Sequence, residues 1–478
     1  MSAVLSLAAG EWRFWLRSQM ALTGFILMAC VLAVTSLVTI ARIDAAESER
    51  LGHQIAAEER FLAQPDRHPH RMVHYGHYAY RTPGPLAIID PGVDRVTGQS
   101  IFLEGHRQNS AMFADSRSGV FLGRFVDITP AVVYQALAPL LVILLGYSLI
   151  IREREAATLA PLLAQGVRPS AILVGKALAL ASVILVMLIP LALLTARAVA
   201  RGEGSSAALS LMGAYALYLM IWGGLVLLVS ALVRQRGLAL GLLVAFWLVS
   251  TILSPRLAVS YASTLFPAAG KIETDLIMAQ DIRQVGDGHD ASAPVHDRLR
   301  DQLLREYGVD RVEDLPVNFR GMVALASEEK LTSLLNQYAE ARMLGEQQQA
   351  NLAHRLGWVS PFIALGNASR ALAGSDLAGH HRFLREAEAL RFAFVQGLNT
   401  AHAQDLSYAD DVNRNQDDEA MQRARLGAET WEVMTDFRFS PASPEDRIRS
   451  ATPFLAMLAT WAAGVLMALA LVARRLRP

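Results

Sequence analysis

The run AVVYQALAPLLVILLGYSLIIREREAATLAPLLAQGVRPS occupies residues 131–170. Its first 21 residues contain no Asp, Glu, Lys or Arg, and the next four are Arg-Glu-Arg-Glu. At 1.5 Å of rise per residue, about 20 helical residues cross the roughly 30 Å hydrocarbon core of a bilayer. The run is long enough to span, and the charges after it mark where the chain returns to water. Five further windows without a charge lie at 19–40, 177–196, 207–233, 237–255 and 451–473, the shortest of them 19 residues long. A chain of 478 residues would suffice for about three soluble domains, but this charge distribution excludes a purely soluble protein. Lys plus Arg and Asp plus Glu both total 44, so the basic excess of a nucleic-acid binder is absent.

The fold class expected is an all-α membrane protein with six transmembrane helices. They are placed at 19–40, 131–151, 171–196, 207–233, 237–255 and 451–473. Orientation follows from Lys and Arg in the short loops. Arg13, Arg17, Arg152, Arg154, Arg168, Lys176, Arg234, Arg236, Arg474, Arg475 and Arg477 fall on one side, against Arg197 and Arg201 in the only short loop on the other. Both termini are therefore expected in the cytoplasm, and segments 41–130 and 256–450 outside. The N-terminus does not read as a signal peptide, because its apolar run is long and Glu11 lies among its basic residues. Leu27-Met28-Ala29-Cys30 loosely resembles a lipoprotein cleavage box, but Cys30 falls mid-span and is expected to be a buried thiol. With no second Cys, the outer segments must hold together by packing.

Residues 1–18 read as a cytoplasmic interfacial helix. Leu5, Ala8, Trp12 and Trp15/Leu16 recur at helical spacing, with Glu11, Arg13 and Arg17 interleaved. The first outer segment opens with a helical extension at 43–62 and then turns dense in Gly, Pro and aromatics, so a mixed α/β domain is expected. The second reads as a mainly helical domain. Its stripes are Leu299/Leu303/Leu304/Tyr307, Leu331/Leu334/Leu335/Tyr338 and Phe383/Leu384/Ala387/Leu390/Phe394/Leu398. Residues 286–294 combine Gly, Asp, Ser and Pro and are expected to form a mobile loop.

Signs of chemistry are few. His70, His74 and His77 would share one face of a helix and could ligate a metal. Pro69 and Gly76 oppose a regular helix there, and no Cys or close carboxylate completes the set, so no metal is expected. Asp411-x-Asn413-x-Asn415-x-Asp417-x-Glu419 starts like a calcium loop but has Gln416 and Gln422 at the sixth and twelfth positions, so a solvated acidic face is expected. Gly237-x3-Gly241 is a weak signal for close helix packing. No metalloprotease helix, nucleophile elbow or phosphate loop occurs, so the chain is not expected to be an enzyme or to hydrolyse ATP itself.

The loop at 152–170 looks built for a partner. A charged helix end is followed by Leu159, Leu162 and Leu163 on one face, and Gly166 and Pro169 turn the chain back. Glu155-x-x-Thr158-Leu159, followed by Leu162-Leu163 and Gly175-Lys176, resembles the E-x-G-T-L loop of type-2 ABC exporter permeases, with Ala157 where that family usually has Gly. Tyr78-Ala79-Tyr80, Asp90-Pro91-Gly92 and residues 103–109 are similar to an uncharacterised bacterial permease subfamily with large periplasmic domains of unknown function. Ser360-Pro361-Phe362, residues 371–376, His380-His381, Phe383, Glu388 and Arg391 resemble the same subfamily. The resemblance implies a permease subunit in the bacterial inner membrane, paired with a second permease copy or paralogue and with separate ATPase subunits. ATP and Mg would then be bound by that ATPase, and no cofactor by this chain.

On this reading Arg152, Glu153, Arg154, Glu155, Thr158, Leu159, Leu162 and Leu163 couple the chain to the ATPase. Glu155 is the polar anchor, with Arg152 and Arg154 as its ion partners, and the three leucines make the apolar contact. Two alternatives stand beside export. In one, the outer domains are moved to act on a periplasmic or envelope partner and nothing is transported. In the other, the external histidines serve a metal or metallophore exporter. Charge-free spans oppose a metal path, since ion pathways usually carry polar or ionisable groups within the membrane, and they suit a lipid-like or amphiphilic substrate, or no substrate.

Overall fold

The computed structural model describes residues 3–112, 128–285, 293–435 and 437–474. Most of the loop expected at 286–294, and Arg475 and Arg477, lie outside the described residues. The six charge-free runs coincide with six helices long and apolar enough to cross a membrane: Met20–Leu62, Pro130–Glu155, Pro169–Ala200, Ser205–Leu232, Arg236–Leu265 and Pro444–Ala473. The chain is a multi-pass membrane protein. Spans two, three and four form the buried centre, whereas spans one, five and six keep most of their surface facing outward. Cys30 is exposed on span one rather than buried. Gly237 and Gly241 meet nothing within 4 Å, so they are not a packing site within this chain.

The helix expected near the N-terminus is Ala3–Arg17. It does more than lie at an interface, because Ala8, Glu11 and Trp15 are buried against the bundle. Trp15 Nε1 donates to the Leu145 carbonyl at 3.0 Å, satisfying an acceptor in the last turn of helix Ala138–Gly146, where span two is interrupted. Close approach to span three is possible because Gly175 has no side chain. A Cβ there would fall 2.8 Å from Leu7 Cβ.

Prolines set the irregularities of the spans. Span two begins with a π-turn at Val133–Leu137, and Pro139 offers no N–H to the Gln135 carbonyl; the Tyr218 hydroxyl donates to it at 2.5 Å. In span three, beside Pro190, the Tyr134 hydroxyl enters the ladder, donating to the Met187 carbonyl at 2.7 Å and accepting from the Leu191 N–H at 3.2 Å. Span five carries a π-turn at Val249–Leu253 before Pro255, and the Ser360 hydroxyl donates to the Ser250 carbonyl at 2.9 Å. Each break sits where a neighbour supplies the missing partner, as the membrane interior requires.

The long segments do not build two separate domains. Phe61, Met72, Val73, Ala79, Ile101 and Leu103 from the first share one core with Phe383, Ala387, Phe394, Val395, Leu398, Trp431, Met434 and Phe439 from the second. The first segment contributes a two-stranded antiparallel sheet, β1 (His77–Tyr80) with β2 (Ser100–Leu103), in which His77 pairs with Leu103. The second is mainly helical in its described residues, with long helices Phe319–Arg355 and Leu377–Asp405 carrying the expected stripes inward.

Helix Pro361–Ala373, which belongs to the second segment by sequence, is almost wholly buried and wedged against spans four and six. Arg447 at the head of span six locks this region. Its guanidinium donates to the Leu372 carbonyl at 2.9 Å and to Glu203 between spans three and four.

Candidate functional site

The loop after span two is held by ionic and hydrogen-bonded contacts at three points. Lys176, only 1% exposed near the start of span three, donates to both Glu11 and Glu153. Arg152 also donates to Glu11, and its guanidinium stacks 3.7 Å from the Phe14 ring centroid. The loop, the N-terminal helix and span three thus meet in one cluster of two carboxylates and two cations. Such a cluster fixes geometry more than it adds net stability, but removing one member strands a buried charge.

Arg154 forms the second anchor. It donates to the Ala231 carbonyl at 2.8 Å and the Val233 carbonyl at 3.2 Å, placing a cation at the negative C-terminal end of span four. Glu155 forms the third by pairing with Arg236 at the head of span five. The expected pairing of Glu155 with Arg152 and Arg154 is therefore replaced, because helix geometry carries those arginines to Glu11 and to span four. Thr158 donates back to Glu153 and closes the turn. Ala157 in that turn has φ of +51°, in the left-handed region where a side chain is unfavourable.

The leucine triplet does not face outward. Leu159 is 1% exposed, and Leu162 and Leu163 pack against the bundle core. Apolar side chains beside an apolar bundle gain more by covering it than by waiting in water. What the loop presents outward is a face of small residues, chiefly Ala156, Ala160, Pro161 and Ala164, flanked by Glu155, Thr158 and Gln165.

Glu11, Lys176 and Phe14 were absent from the expected site. One signal could have found Lys176: the chain has only three Lys among its 44 basic residues, so a Lys beside an apolar span is an unusual choice. Glu11 had a weaker signal, as a lone acid on the face that carries Ala8 and Trp15.

At the opposite end of the bundle, a buried hydrogen-bond chain joins the segments to the spans. Ser369 donates to Asp90 at 2.6 Å and lies 2.9 Å from the Tyr215 hydroxyl, which accepts from Gln135 Nε2 at 3.0 Å. Both long segments therefore touch the π-turn of span two through one continuous path. Beside the hairpin, a cleft of about 660 Å3 is lined by Arg50, Arg60, Tyr75, Tyr78, Tyr80 and Phe102, among others.

Two histidine clusters lie in the segments. His70, His74 and His77 do not share a face. Pro69 occupies the first turn of a short helix, Pro69–Val73, instead of preventing one, while His77 lies on β1. His70 and His74 meet His106 instead, with ligating atoms of all three within 4.8 Å of one another. The second cluster is His68, His402 and Asp411. Asp411 is fully buried rather than on a solvated face; only the later acids of that motif are exposed. His68 Nε2 and His402 Nε2 lie 3.0 and 2.9 Å from its oxygens, and Asn318 and Arg414 also bond it. Burial pushes His68 down to about 2 and His402 down to about 4, with neighbouring cationic groups adding to the effect. With Arg414 against the carboxylate, this cluster is a structural node and not a place for a cation.

Residues 275–440 match the family described as a domain of unknown function, DUF3526. That match covers the core of the second segment, from before the helix at Phe319 to the end of the region packed on Leu377–Asp405. No curated protein and no solved structure matches the chain.

Proposed function

We propose that the chain is the permease subunit of an ATP-driven ABC exporter in a bacterial cytoplasmic membrane. In this reading both termini and the 152–170 loop are cytoplasmic, the long segments are periplasmic, and ATP and Mg belong to a separate ATPase. A second permease copy or paralogue completes the transporter, with membrane lipid around the outward faces of spans one, five and six.

The observation that carries this reading is the way the loop is built. Its outward face is small and open to a partner, while its inward side is tied to spans three, four and five through Lys176, Arg154 and Glu155. A push on the loop therefore reaches three spans at once. Spans two, three and five each contain a proline-associated break or π-turn whose backbone is completed by a hydroxyl from elsewhere. Such places let packed helices switch between discrete arrangements. The test is an affinity pull-down of the tagged chain from gently solubilised native membranes, with partners identified by mass spectrometry. Recovery of an ATPase with a phosphate-binding loop supports the reading, and its absence under several mild detergents removes it.

A second reading, mechanotransmission without a transported substrate, is favoured by the Asp90–Ser369–Tyr215–Gln135 chain. That path joins both segments to the spans that the loop addresses, so motion can be delivered to the segments themselves. Transport into inverted vesicles separates the two.

A further inference from the structure

We infer that His70, His74 and His106 form a binding site for a divalent transition metal of the Zn2+ class on the surface of the long segments. His70 lies in helix Pro69–Val73 and His74 is its C-terminal cap, four residues on, so their rings share a face. Their Nε2 atoms are 3.4 Å apart, and the rings are nearly perpendicular at 87°. Two nitrogens at 2.0–2.1 Å from one tetrahedral ion stand about 3.3 Å apart, so the pair is already at ligand separation. The His106 ring centroid lies 5.9 Å from that of His70 and 5.2 Å from that of His74.

The third ligand comes from a different element and is held there deliberately. His106 follows β2 with φ of +63°, a left-handed conformation costly for a residue with a side chain. The turn is pinned to the histidine helix by the Gly105 N–H, which donates to the Val73 carbonyl at 2.9 Å. A Cβ at 105 would lie 1.9 Å from Val73 Cγ1, so any side chain there would force Val73 to move.

Behind the ring, His106 Nδ1 lies 3.0 Å from Oε2 of Glu328, which is fully buried. Glu328 Oε1 in turn accepts from Arg391 at 2.6 Å and from Thr332 at 3.1 Å. A carboxylate behind a ligating imidazole orients the ring and raises its basicity, the usual outer-shell arrangement at metal sites. His106 would then ligate through Nε2.

His74 is exposed and His70 and His106 are half-buried, so the site opens towards solvent, which could supply a fourth ligand. An all-imidazole set suits Zn2+, Cu2+ or Ni2+ and not Mg2+ or Ca2+. A bound ion would fasten helix Pro69–Val73 to the hairpin and, through Glu328, to helix Phe319–Arg355. This site does not depend on the transport reading.

The test uses the full chain in detergent, purified through a tag free of histidine, and titrated with Zn2+ against a chromophoric chelator. One Zn2+ per chain is expected, with His74→Ala weakening binding about tenfold or more and Glu328→Gln by about 10–100-fold. His74 is exposed, so its replacement should leave the metal-free thermal midpoint unchanged. Co2+ loaded into the unaltered chain should give the visible spectrum of a tetrahedral nitrogen site, a readout independent of any variant. Absence of stoichiometric Zn2+ binding overturns the site. So does equal binding by the unaltered chain and a folded His74→Ala, or an octahedral Co2+ spectrum.

Discussion

The Ser360 hydroxyl donates to the Ser250 carbonyl across 110 residues of chain, at 2.9 Å, in the π-turn that precedes Pro255. The same oxygen accepts from the Ile363 N–H and so caps helix Pro361–Ala373. One hydroxyl therefore completes a break in span five and starts the helix wedged against spans four and six. Replacing Ser360 with Ala removes both bonds and should cost about 2–3 kcal/mol, from a stranded buried acceptor and a lost cap. Ser250→Ala leaves the carbonyl bond in place and should cost less. Thermal midpoints in detergent compare the two; an equal or reversed order would refute this account.

The ionic cluster under the loop makes a sharper demand. Lys176→Met leaves Glu11 with Arg152 alone and Glu153 without its cation, and should destabilise by about 3–5 kcal/mol. Adding Glu153→Gln should return part of that loss. If the double variant proves no more stable than the single one, the charges are not coupled as their contacts indicate.

Ala157 predicts a gain. Its left-handed φ should cost roughly 1–2 kcal/mol, of which the greater freedom of an unfolded glycine offsets about 0.4–1. Ala157→Gly should therefore stabilise the chain by up to about 1.6 kcal/mol. A lowered thermal midpoint would argue against strain in this turn.

Docking and folding can be separated on the loop. If the chain pairs with an ATPase as proposed, Ala164→Asp, on the outward face, should reduce the ATP hydrolysis of that partner while leaving the thermal midpoint unchanged. Leu162→Asp, against the core, should lower the midpoint. Full stimulated hydrolysis in a well-folded Ala164→Asp variant would remove this face as the partner contact.

Acidification should loosen the long segments. Burial lowers His77, His354, His380 and His402 to about 4, against an ordinary value of 6.5. Between those values the unfolded chain binds more protons than the folded one, so stability must fall as pH drops from about 6.5 towards 4. Thermal scans at pH 7.5, 6 and 5 should give successively lower midpoints. A midpoint that stays level or rises would mean that these imidazoles are not held neutral.

Much of this molecule was legible in one dimension. The six spans, the helical extension to Leu62, the N-terminal helix and the stripes at Leu331/Leu335 and Phe383/Ala387/Phe394/Leu398 follow from charge-free length and from helical periodicity, which neighbouring residues encode. The loop at 152–170 was also visible as a special place. Which of its groups touched what was not. Its leucines turned inward because the bundle beside them is apolar, and Glu155 found Arg236 because Arg152 and Arg154 were drawn to Glu11 and to the end of span four. His106 replaced His77 among the histidines because a hairpin turn, not helix spacing, delivered the third ring.

Local pattern by itself determined that this chain has six helices long and apolar enough to cross a membrane and where they run, since hydrophobic length and period are properties of adjacent residues. Tertiary structure alone decided that segments some 300 residues apart share one core, that Lys176 bridges Glu11 and Glu153, and that Asp411 is buried. Those outcomes depend on which distant surfaces bury each other. Long-range packing sets the partner of each charged or polar group, and no spacing along the sequence records it.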